Sequence, residues 1–271
     1  MKIIVLGKNG MLGSYVFKYF TMRGFEVIGS DRSTLDVSID NMAIVRKTLD
    51  GLIDVKSYVI NCIGKTNHNK NQVDDMLLVN SYFPLLLSDI CTENGAFLIH
   101  PTTDCVYDGK DGGYDNNSDI TPNDDYGMSK YLGEICARTS MVIRTSIIGE
   151  DKNKRSLLEW AKQNKDQTVY GYTNHWWNGV TCLEWAKQIE HILVSGLYKT
   201  GIQFWHSLTY DGHDKINKAG LLHFINKVYK LNLTIIPKET ETSVCRHLYG
   251  RCVEKSIEKQ LDEMYDFKII N

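Results

Sequence analysis

A short apolar run followed by three evenly spaced glycines opens this chain of 271 residues. Lys2–Leu6 predicts a β-strand, and Gly7, Gly10 and Gly13 lead from it into a helical pattern over Met11–Arg23. Glycine permits a tight turn and lets a phosphate group approach the backbone, and the amino end of a helix attracts phosphates. The spacing is GxxGxxG, which indicates a dinucleotide-binding turn or, as the alternative, an ordinary glycine-rich turn.

Strand and helix patterns alternate through the first half of the chain. Apolar strands are predicted at 25–30, 57–63, 96–100 and 141–146, and helices at 39–49, 73–94 and 126–138. Nearly unbroken apolar strands that alternate with helices indicate an α/β fold in which helices cover both faces of a parallel sheet. The second half is less regular, with helices predicted at 156–163, 182–193, 215–229 and 256–264 and a strand at 232–237.

Composition excludes several classes of partner. The chain has 31 lysine and arginine residues against 33 aspartate and glutamate residues, so it lacks the basic character of a nucleic-acid-binding protein. No apolar run approaches the length of a transmembrane helix, and the apolar start breaks at Gly7, too early for a secretory signal. The seven cysteines form no CxxC pair, which predicts reduced thiols and a cytoplasmic protein. Because the sequence holds no HExxH motif and no Cys/His cluster, we expect no metal site.

The segment Asp108–Asp125 separates a predicted strand from a predicted helix. Twelve of its 18 residues are Asp, Asn or Gly, a composition typical of a flexible linker. Loops of this length inside a domain are usually either functional or disordered. Its position between a strand and a helix favours a functional loop.

Two charged residues follow the second predicted strand. An acid at this place, here Asp31, can bond the adenosine ribose hydroxyls of NAD, whereas an arginine, here Arg32, can hold the 2′-phosphate of NADP. The two signals oppose each other, and we favour NADPH, with NADH as the alternative. The alternative is that Asp31 and Arg32 are two solvated charges in a turn and bind no cofactor.

A tyrosine and a lysine four residues apart, Tyr126 and Lys130, share one face of the predicted helix. A phenol has a pKa of about 10, and a neighbouring ammonium or an oxidised nicotinamide ring lowers it. Tyr126 could then protonate a carbonyl group as hydride arrives. Thr103 ends another predicted strand, where α/β sheets place their ligands, and its hydroxyl could donate to the same carbonyl oxygen. The alternative is that Tyr126 and Lys130 are two exposed side chains on one helix, without a catalytic role.

Five motifs carry a family resemblance: "GKNGMLG", "VINCIG", "TTDCVYDG", "YGMSK" and "VIRTS". In order and spacing the chain resembles the extended short-chain dehydrogenases, and within them the dTDP-4-dehydrorhamnose reductase branch. The resemblance is strong over about residues 1–150 and looser beyond. It implies a doubly wound Rossmann domain over 1–150 and a smaller C-terminal substrate-binding lobe over 151–271, some of whose elements return to the first domain.

The resemblance also implies an activity and the residues that perform it. The activity is NAD(P)H-dependent reduction of the 4-keto group of a nucleotide-linked deoxysugar. Tyr126 would donate the proton, Lys130 would bind the nicotinamide ribose and lower the pKa of Tyr126, and Thr103 would polarise the ketone. Besides Tyr126 and Lys130, the cofactor-binding residues would be Gly7, Asn9, Gly10, Met11, Leu12, Asp31, Arg32, Asp36, Val37, Cys62, Ile63 and Gly64.

Cys105 stands two residues after Thr103. Bifunctional relatives such as GDP-fucose synthase carry a cysteine there and use it to move a proton at a carbon beside the ketone. A thiol can do so when its pKa is lowered. The resemblance therefore raises C3/C5 epimerisation as a second activity, although Lys152, Lys154 and Arg155 do not align securely with the second base that it needs. A cysteine that only packs or contacts substrate is the alternative.

The stretch Gly171–Thr181, "GYTNHWWNGVT", interleaves aromatic and amide side chains. Such a strip could stack on a nucleobase and bond sugar hydroxyls, or form an aromatic cluster between domains. Arg246 falls where the family places a basic residue near the diphosphate, and a surface arginine is the alternative. The predicted substrate contacts are Thr103, Asp104, Cys105, Asn174, His175, Trp177, Asn178 and Arg246.

The substrate expected from the resemblance is a UDP- or dTDP-4-keto-6-deoxyhexose, or its N-acetamido analogue, in rhamnose-type deoxysugar nucleotide biosynthesis. One alternative is a nucleotide-sugar epimerase or dehydratase that recycles bound NAD. Another is a non-catalytic dinucleotide-binding regulatory subunit. A homodimer is a candidate assembly.

Overall fold

Seven parallel strands form the main sheet of the computed structural model, which describes residues 1–66 and 73–269. In spatial order they are Arg251–Val253 (β14), Gly201–Ser207 (β10), Met141–Arg144 (β5), Phe97–Thr102 (β4), Ser57–Asn61 (β3), Lys2–Leu6 (β1) and Glu26–Ser30 (β2). Each neighbouring pair is parallel, so their carboxyl ends meet at one edge of the sheet. The predicted α/β fold with a Rossmann sheet is confirmed.

The helices of the described residues lie between these strands and over the smaller sheets. They are Met11–Met22 (α1), Met42–Leu52 (α2), Val73–Leu77 (α3), Phe83–Glu93 (α4), Asp125–Gly133 (α5), Leu157–Gln163 (α6), Cys182–Val194 (α7), Lys218–Tyr229 (α8) and Ile257–Phe267 (α9). A π-helical turn, Leu78–Tyr82, joins α3 to α4. None of the described helices has both the length and the apolar character needed to cross a membrane.

Three small sheets come from the second half of the chain. Ile147–Ile148 (β6) pairs with Val180–Thr181 (β9), Thr168–Tyr172 (β7) pairs with Thr234–Lys238 (β12), and His175–Trp177 (β8) lies between Ile216–Asn217 (β11) and Val244–Cys245 (β13). The same half also supplies β10 and β14 to the main sheet. The division of the chain near residue 150 stays a prediction.

The glycine turn between β1 and α1 is closely packed. Gly7 has φ +81°, a left-handed conformation that favours glycine. A Cβ on Gly13 would lie 2.1 Å from the Gly7 carbonyl oxygen, so α1 can approach the turn only with glycine there. The amino end of α1 therefore lies beside the carboxyl ends of β1 and β3.

The segment 108–125 is tied to the C-terminal part of the chain. The backbone N–H of Cys245 donates to the Gly109 carbonyl at 2.6 Å, and that of Tyr114 donates to the His247 carbonyl at 3.1 Å. The rings of Tyr107 and Tyr114 stack with centroids 4.1 Å apart. The flexibility that composition alone suggests is therefore wrong, because backbone bonds and aromatic stacking fix the segment.

A buried ion pair lies beneath this segment. The Arg144 Nε donates to Glu134 Oε1 at 2.8 Å, and a second guanidinium nitrogen contacts Glu134 Oε2. The Arg144 Nη1 also donates to the Tyr107 hydroxyl at 2.8 Å. The Arg144 and Glu134 side chains are 5% and 2% exposed, so each charge depends on the other for compensation.

We expect Glu134→Gln to lower the free energy of unfolding by about 3 kcal/mol, because it leaves the buried Arg144 charge unpaired. Urea unfolding followed by circular dichroism measures this difference. The control is Asp54→Asn, which breaks the surface pair of Lys2 and Asp54 and should cost less than about 1 kcal/mol. If both variants lost the same free energy of unfolding, the buried pair would not be more important for stability than the surface pair.

Candidate active site

A cavity of about 470 Å³ lies at the carboxyl edge of the main sheet. It is lined by the glycine turn, the ends of β3 and β4, α5, the segment 145–157 and residues of the C-terminal half. Twelve of the predicted site residues line it: Gly10, Met11, Leu12, Cys62, Ile63, Gly64, Thr103, Asp104, Cys105, Tyr126, Lys130 and Trp177. The remaining predicted residues lie outside its lining: Gly7, Asn9, Asp31, Arg32, Asp36, Val37, Asn174, His175, Asn178 and Arg246.

Thr103 caps a short 3₁₀ turn over Asp104–Val106, directly after β4. Its Oγ1 accepts a hydrogen bond from the Cys105 backbone N–H at 3.1 Å and donates to Asp104 Oδ1 at 3.2 Å. Both Thr103 and Asp104 are buried. The turn thus holds the Thr103 hydroxyl in one position at the cavity wall.

Helix α5 brings Tyr126 to the same wall. The Asp124 carboxylate caps the helix by accepting from the Gly127 N–H at 2.7 Å. Burial raises the pKa of the Tyr126 phenol, Cys105 and Asp104 raise it further, and the Thr103 hydroxyl lowers it. The expected lowering by Lys130 is not among the effects on this pKa, and Asp104 and Asp124 act in the same direction as burial.

Lys130 lies one helical turn beyond Tyr126 and is buried. Its Nζ donates to the Pro101 carbonyl at 3.0 Å. Burial lowers the pKa of Lys130 to about 8, and Glu134 acts in the opposite direction. The ammonium is therefore fixed between β4 and α5, with its remaining donors at the cavity wall.

Cys105 lies between an acid and a guanidinium. Its Sγ donates to Asp104 Oδ1 at 3.7 Å and accepts from Arg246 Nη1 at 3.7 Å. The pKa of the Cys105 thiol is raised to about 12, because burial and then Asp104 raise it more than Thr103 and Arg246 lower it. The side chain is therefore a neutral thiol near pH 7, not the thiolate that proton abstraction requires.

The acid after β2 is fixed beside the glycine turn. Asp31 Oδ1 accepts from the Ser33 hydroxyl at 2.6 Å, and Asp31 Oδ2 lies 3.3 Å from Asn9 Nδ2 and 3.4 Å from Lys8 Nζ. The Ser33 hydroxyl is the main cause that lowers the pKa of Asp31. The Arg32 side chain is 89% exposed, and its Nε lies 3.1 Å from Asp36 Oδ1.

The residues present fit a dinucleotide. Gly10 precedes helix α1 as its N-cap residue and provides no side-chain cap, so the first N–H groups of α1 can donate to a phosphate. The left-handed Gly7 and the crowded Gly13 form the tight turn that such a phosphate approaches. Asp31, at the end of the next strand, lies where an adenosine ribose would be bound.

Two predicted substrate contacts have structural partners instead. The Asn178 amide donates to the Leu248 carbonyl at 2.9 Å and accepts from the Leu248 N–H at 3.0 Å. The Asn174 amide pairs in the same way with the Thr240 backbone, at 2.7 and 3.2 Å. Both amide atoms of each side chain hold backbone segments together, and their expected contact with substrate stays a prediction.

The other predicted substrate contacts, Trp177, His175 and Arg246, differ in whether they line the cavity. Trp177 lines the cavity and donates from Nε1 to the Ser146 hydroxyl at 2.7 Å. His175 lies 2.8 Å from the Thr240 hydroxyl, outside the lining. Arg246 donates to the Tyr107 carbonyl at 2.9 Å and to Asn123 Oδ1 at 3.1 Å, so its guanidinium holds the loop after β4 rather than facing the cavity.

Lys218 is among the lining residues of the C-terminal half that sequence reasoning missed. It is the first residue of α8, and its neighbours include Asp104 and Cys105. A lysine at the start of an amphipathic helix has the same pattern as a solvated charge, so no sequence signal distinguished it. The described residues contain no group of three or more His, Cys, Asp or Glu side chains that could hold a metal ion.

Similar sequences and structures extend this description. The chain is 32% identical over 163 residues to the probable low-salt glycan biosynthesis reductase Agl14 of Haloferax volcanii, an alignment that covers 55% of this chain and 54% of the relative. It is 31% identical over 140 residues to dTDP-4-dehydrorhamnose reductase of Mycobacterium tuberculosis, covering 49% and 44%. The matched part thus spans about half the length of these relatives.

Solved structures match nearly the whole chain. The dTDP-4-dehydrorhamnose reductase of Clostridium acetobutylicum has a TM-score of 0.80 at 19% identity, covering 98% of this chain and 99% of that one. The dTDP-4-dehydrorhamnose reductase of Bacillus anthracis, solved in complex with NADP, has a TM-score of 0.80 at 15% identity, covering 98% of each chain. At these identities the likeness establishes the fold.

The family itself follows from the first part of the chain. The glycine turn, the Thr103 turn and the Tyr126–Lys130 helix all lie within residues 1–171, which match the family model described as the RmlD substrate binding domain. Because the match covers more than half of the chain, this protein belongs to the RmlD substrate-binding-domain family.

Proposed function

We propose that this chain is an NAD(P)H-dependent reductase of a nucleotide-linked 4-keto-6-deoxy sugar. The observation that carries the proposal is the convergence of Thr103, Tyr126 and Lys130 at one cavity wall, beside the glycine turn. The names of the relatives from Haloferax volcanii and Mycobacterium tuberculosis, both reductases, support the same reaction class.

The dinucleotide would supply hydride to the ketone carbon. The Tyr126 phenol would give its proton to the ketone oxygen as negative charge develops there. Burial keeps that phenol protonated, which is the state that an acid needs. The Thr103 hydroxyl, fixed by the turn after β4, would exchange its acceptor Asp104 for the same ketone oxygen and donate a second hydrogen bond to it. Lys130 would place its ammonium against the nicotinamide ribose.

We infer that NADPH is the preferred dinucleotide. Arg32 is highly exposed beside the predicted adenosine pocket and could exchange Asp36 for a 2′-phosphate. The Bacillus anthracis neighbour in complex with NADP supports this preference. Asp31 acts in the opposite direction, because its carboxylate would repel a 2′-phosphate and bond a ribose hydroxyl.

Cys105 supports a second candidate activity, C3/C5 epimerisation, by its position beside Thr103 in the cavity. Its protonation state does not favour that role, since burial raises the thiol pKa to about 12. We therefore propose reduction without proton exchange at carbon. UDP- and dTDP-linked sugars, including N-acetamido analogues, are the substrates to test.

Tyr126→Phe should lower kcat by at least about 100-fold, because it removes the proton donor. Turnover is measured by NADPH loss with a panel of 4-keto-6-deoxy nucleotide sugars, and NADPH binding by fluorescence titration. Cofactor affinity should be unchanged. Tyr131→Phe, on the exposed side of the same helix, is the matched control. A Tyr126→Phe variant with full turnover would exclude this mechanism. If the activity of a partner enzyme depended equally on the wild type and on Tyr126→Phe, a regulatory subunit would be supported instead.

Reduction in heavy water tests the thiol. We expect no deuterium at C3 or C5 of the product by NMR, and we expect Cys105→Ser to keep reducing the ketone. Deuterium that appears with the wild-type protein and disappears with Cys105→Ser would establish epimerisation through Cys105.

Asp31→Asn should raise the affinity for NADPH by on the order of tenfold relative to NADH, because it removes a carboxylate next to the 2′-phosphate. Calorimetric titration with each dinucleotide gives the ratio of dissociation constants. The control is Asp54→Asn, because Asp54 pairs with Lys2 at the end of β1 opposite the glycine turn. An unchanged ratio would mean that Asp31 does not face the ribose.

A further inference from the structure

Four cationic side chains line the described part of the cavity, and three of them have partners. Lys65 pairs with Asp75, Lys130 donates to the Pro101 carbonyl at 3.0 Å, and Arg155 Nε lies 3.7 Å from Asp151 Oδ2. The fourth is Lys218, whose Nζ is neither hydrogen-bonded nor ion-paired to any residue that the structure describes. The cavity therefore contains one uncommitted ammonium group.

Lys218 lies against the ring of Trp177, with Nζ 5.7 Å from the ring centroid. Burial lowers the pKa of Lys218, whereas Asp104 and Cys105 raise it and Arg246 lowers it. Burial raises the pKa of the Asp104 carboxyl, whereas Arg246 and Lys218 lower it. An anion in the cavity would give Lys218 the partner that the protein does not.

A second lysine–tryptophan pair, Lys215 and Trp176, lies at the small sheet that contains β8. β8 and β11 are antiparallel, with Ile216 opposite Trp177 and Asn217 opposite Trp176, so the two tryptophans lie on opposite faces. Lys215 Nζ lies 5.5 Å from the Trp176 ring centroid, as Lys218 does from Trp177. Lys215 and Trp176 line a different cavity, of about 560 Å³, away from Thr103 and Tyr126.

We propose that Lys218 binds the diphosphate of the substrate, the role that the family resemblance gave to Arg246. This inference rests on the proposed function, in which the substrate is a nucleotide sugar. Lys218 has three N–H donors and lines the same cavity as the glycine turn, near Asp104 and Cys105. Arg246 lies outside that lining, and three of its donors contact Tyr107, Cys105 and Asn123.

The test measures the binding of dTDP and UDP by calorimetry in the presence of NADPH. Lys218→Met should weaken both by about 10- to 100-fold, the loss of one hydrogen bond to a charged group. Lys218→Arg should restore most of the affinity. The matched control is Lys215→Met, which removes the lysine that lies against Trp176. This variant should bind both nucleotides like the wild type.

Thymidine and uridine separate the phosphate contact from contact with the base, and their weaker binding should not change in Lys218→Met. The inference is overturned if Lys218→Met binds dTDP and UDP as tightly as the wild type, if it loses the nucleosides equally, or if the wild type binds neither nucleotide. NADPH affinity and thermal unfolding confirm that each variant is folded. If nucleotide binding depends on Lys218 but no 4-keto sugar is reduced, the inference stands and the proposed reaction fails.

Discussion

Helix α5 lies so close to the turn after β4 that its third residue has no room for a side chain. A Cβ on Gly127 would lie 2.1 Å from the Cys105 carbonyl oxygen. This contact brings Tyr126, at the start of the helix, next to Thr103, at the start of the turn. The Asp124 cap fixes where the helix begins, and the Thr103 cap fixes where the turn begins. Without this approach, neither hydroxyl would have a defined place relative to the other.

The same contact explains why the electrostatics differ from the expectation drawn from spacing. A tyrosine and a lysine four residues apart predict a tyrosine of lowered pKa, but the approach of α5 buries the phenol beside Cys105 and Asp104. Lys130 faces β4 and donates to Pro101. Burial acts on a side chain through everything that surrounds it, whereas a sequence motif records only one neighbour.

The main sheet was predictable where strands are apolar and alternate with helices, as in β1 and β3. The strands β10 and β14 were not predicted. β14 has only three residues, Arg251–Val253, and β10 mixes polar and apolar residues, so neither shows the continuous apolar pattern of a buried strand. The glycine turn and the Thr103 turn were predictable because each has a local cause.

The second half shows the limit of local reasoning. Asn174 and Asn178 have the chemistry of sugar-binding residues, but an amide serves equally well to join two backbone segments. Lys218 looks like a surface charge until β8 and β11 place it over Trp177. In both cases the decisive partner is distant in sequence, and no spacing rule connects them.

The segment that precedes α5 is held by residues that are synthesised more than a hundred positions later. Gly109 bonds to Cys245, Tyr114 bridges to Leu248, and β14 completes the sheet beside β10. During synthesis, therefore, the Rossmann strands and the glycine turn can leave the ribosome while the loop beside Thr103 still lacks its partners. The loop beside Thr103 gains these partners late, after the chain has passed residue 248, and contacts of such long sequence separation slow folding. The glycine turn is thus complete in the nascent chain before the loop beside Thr103 has its backbone partners.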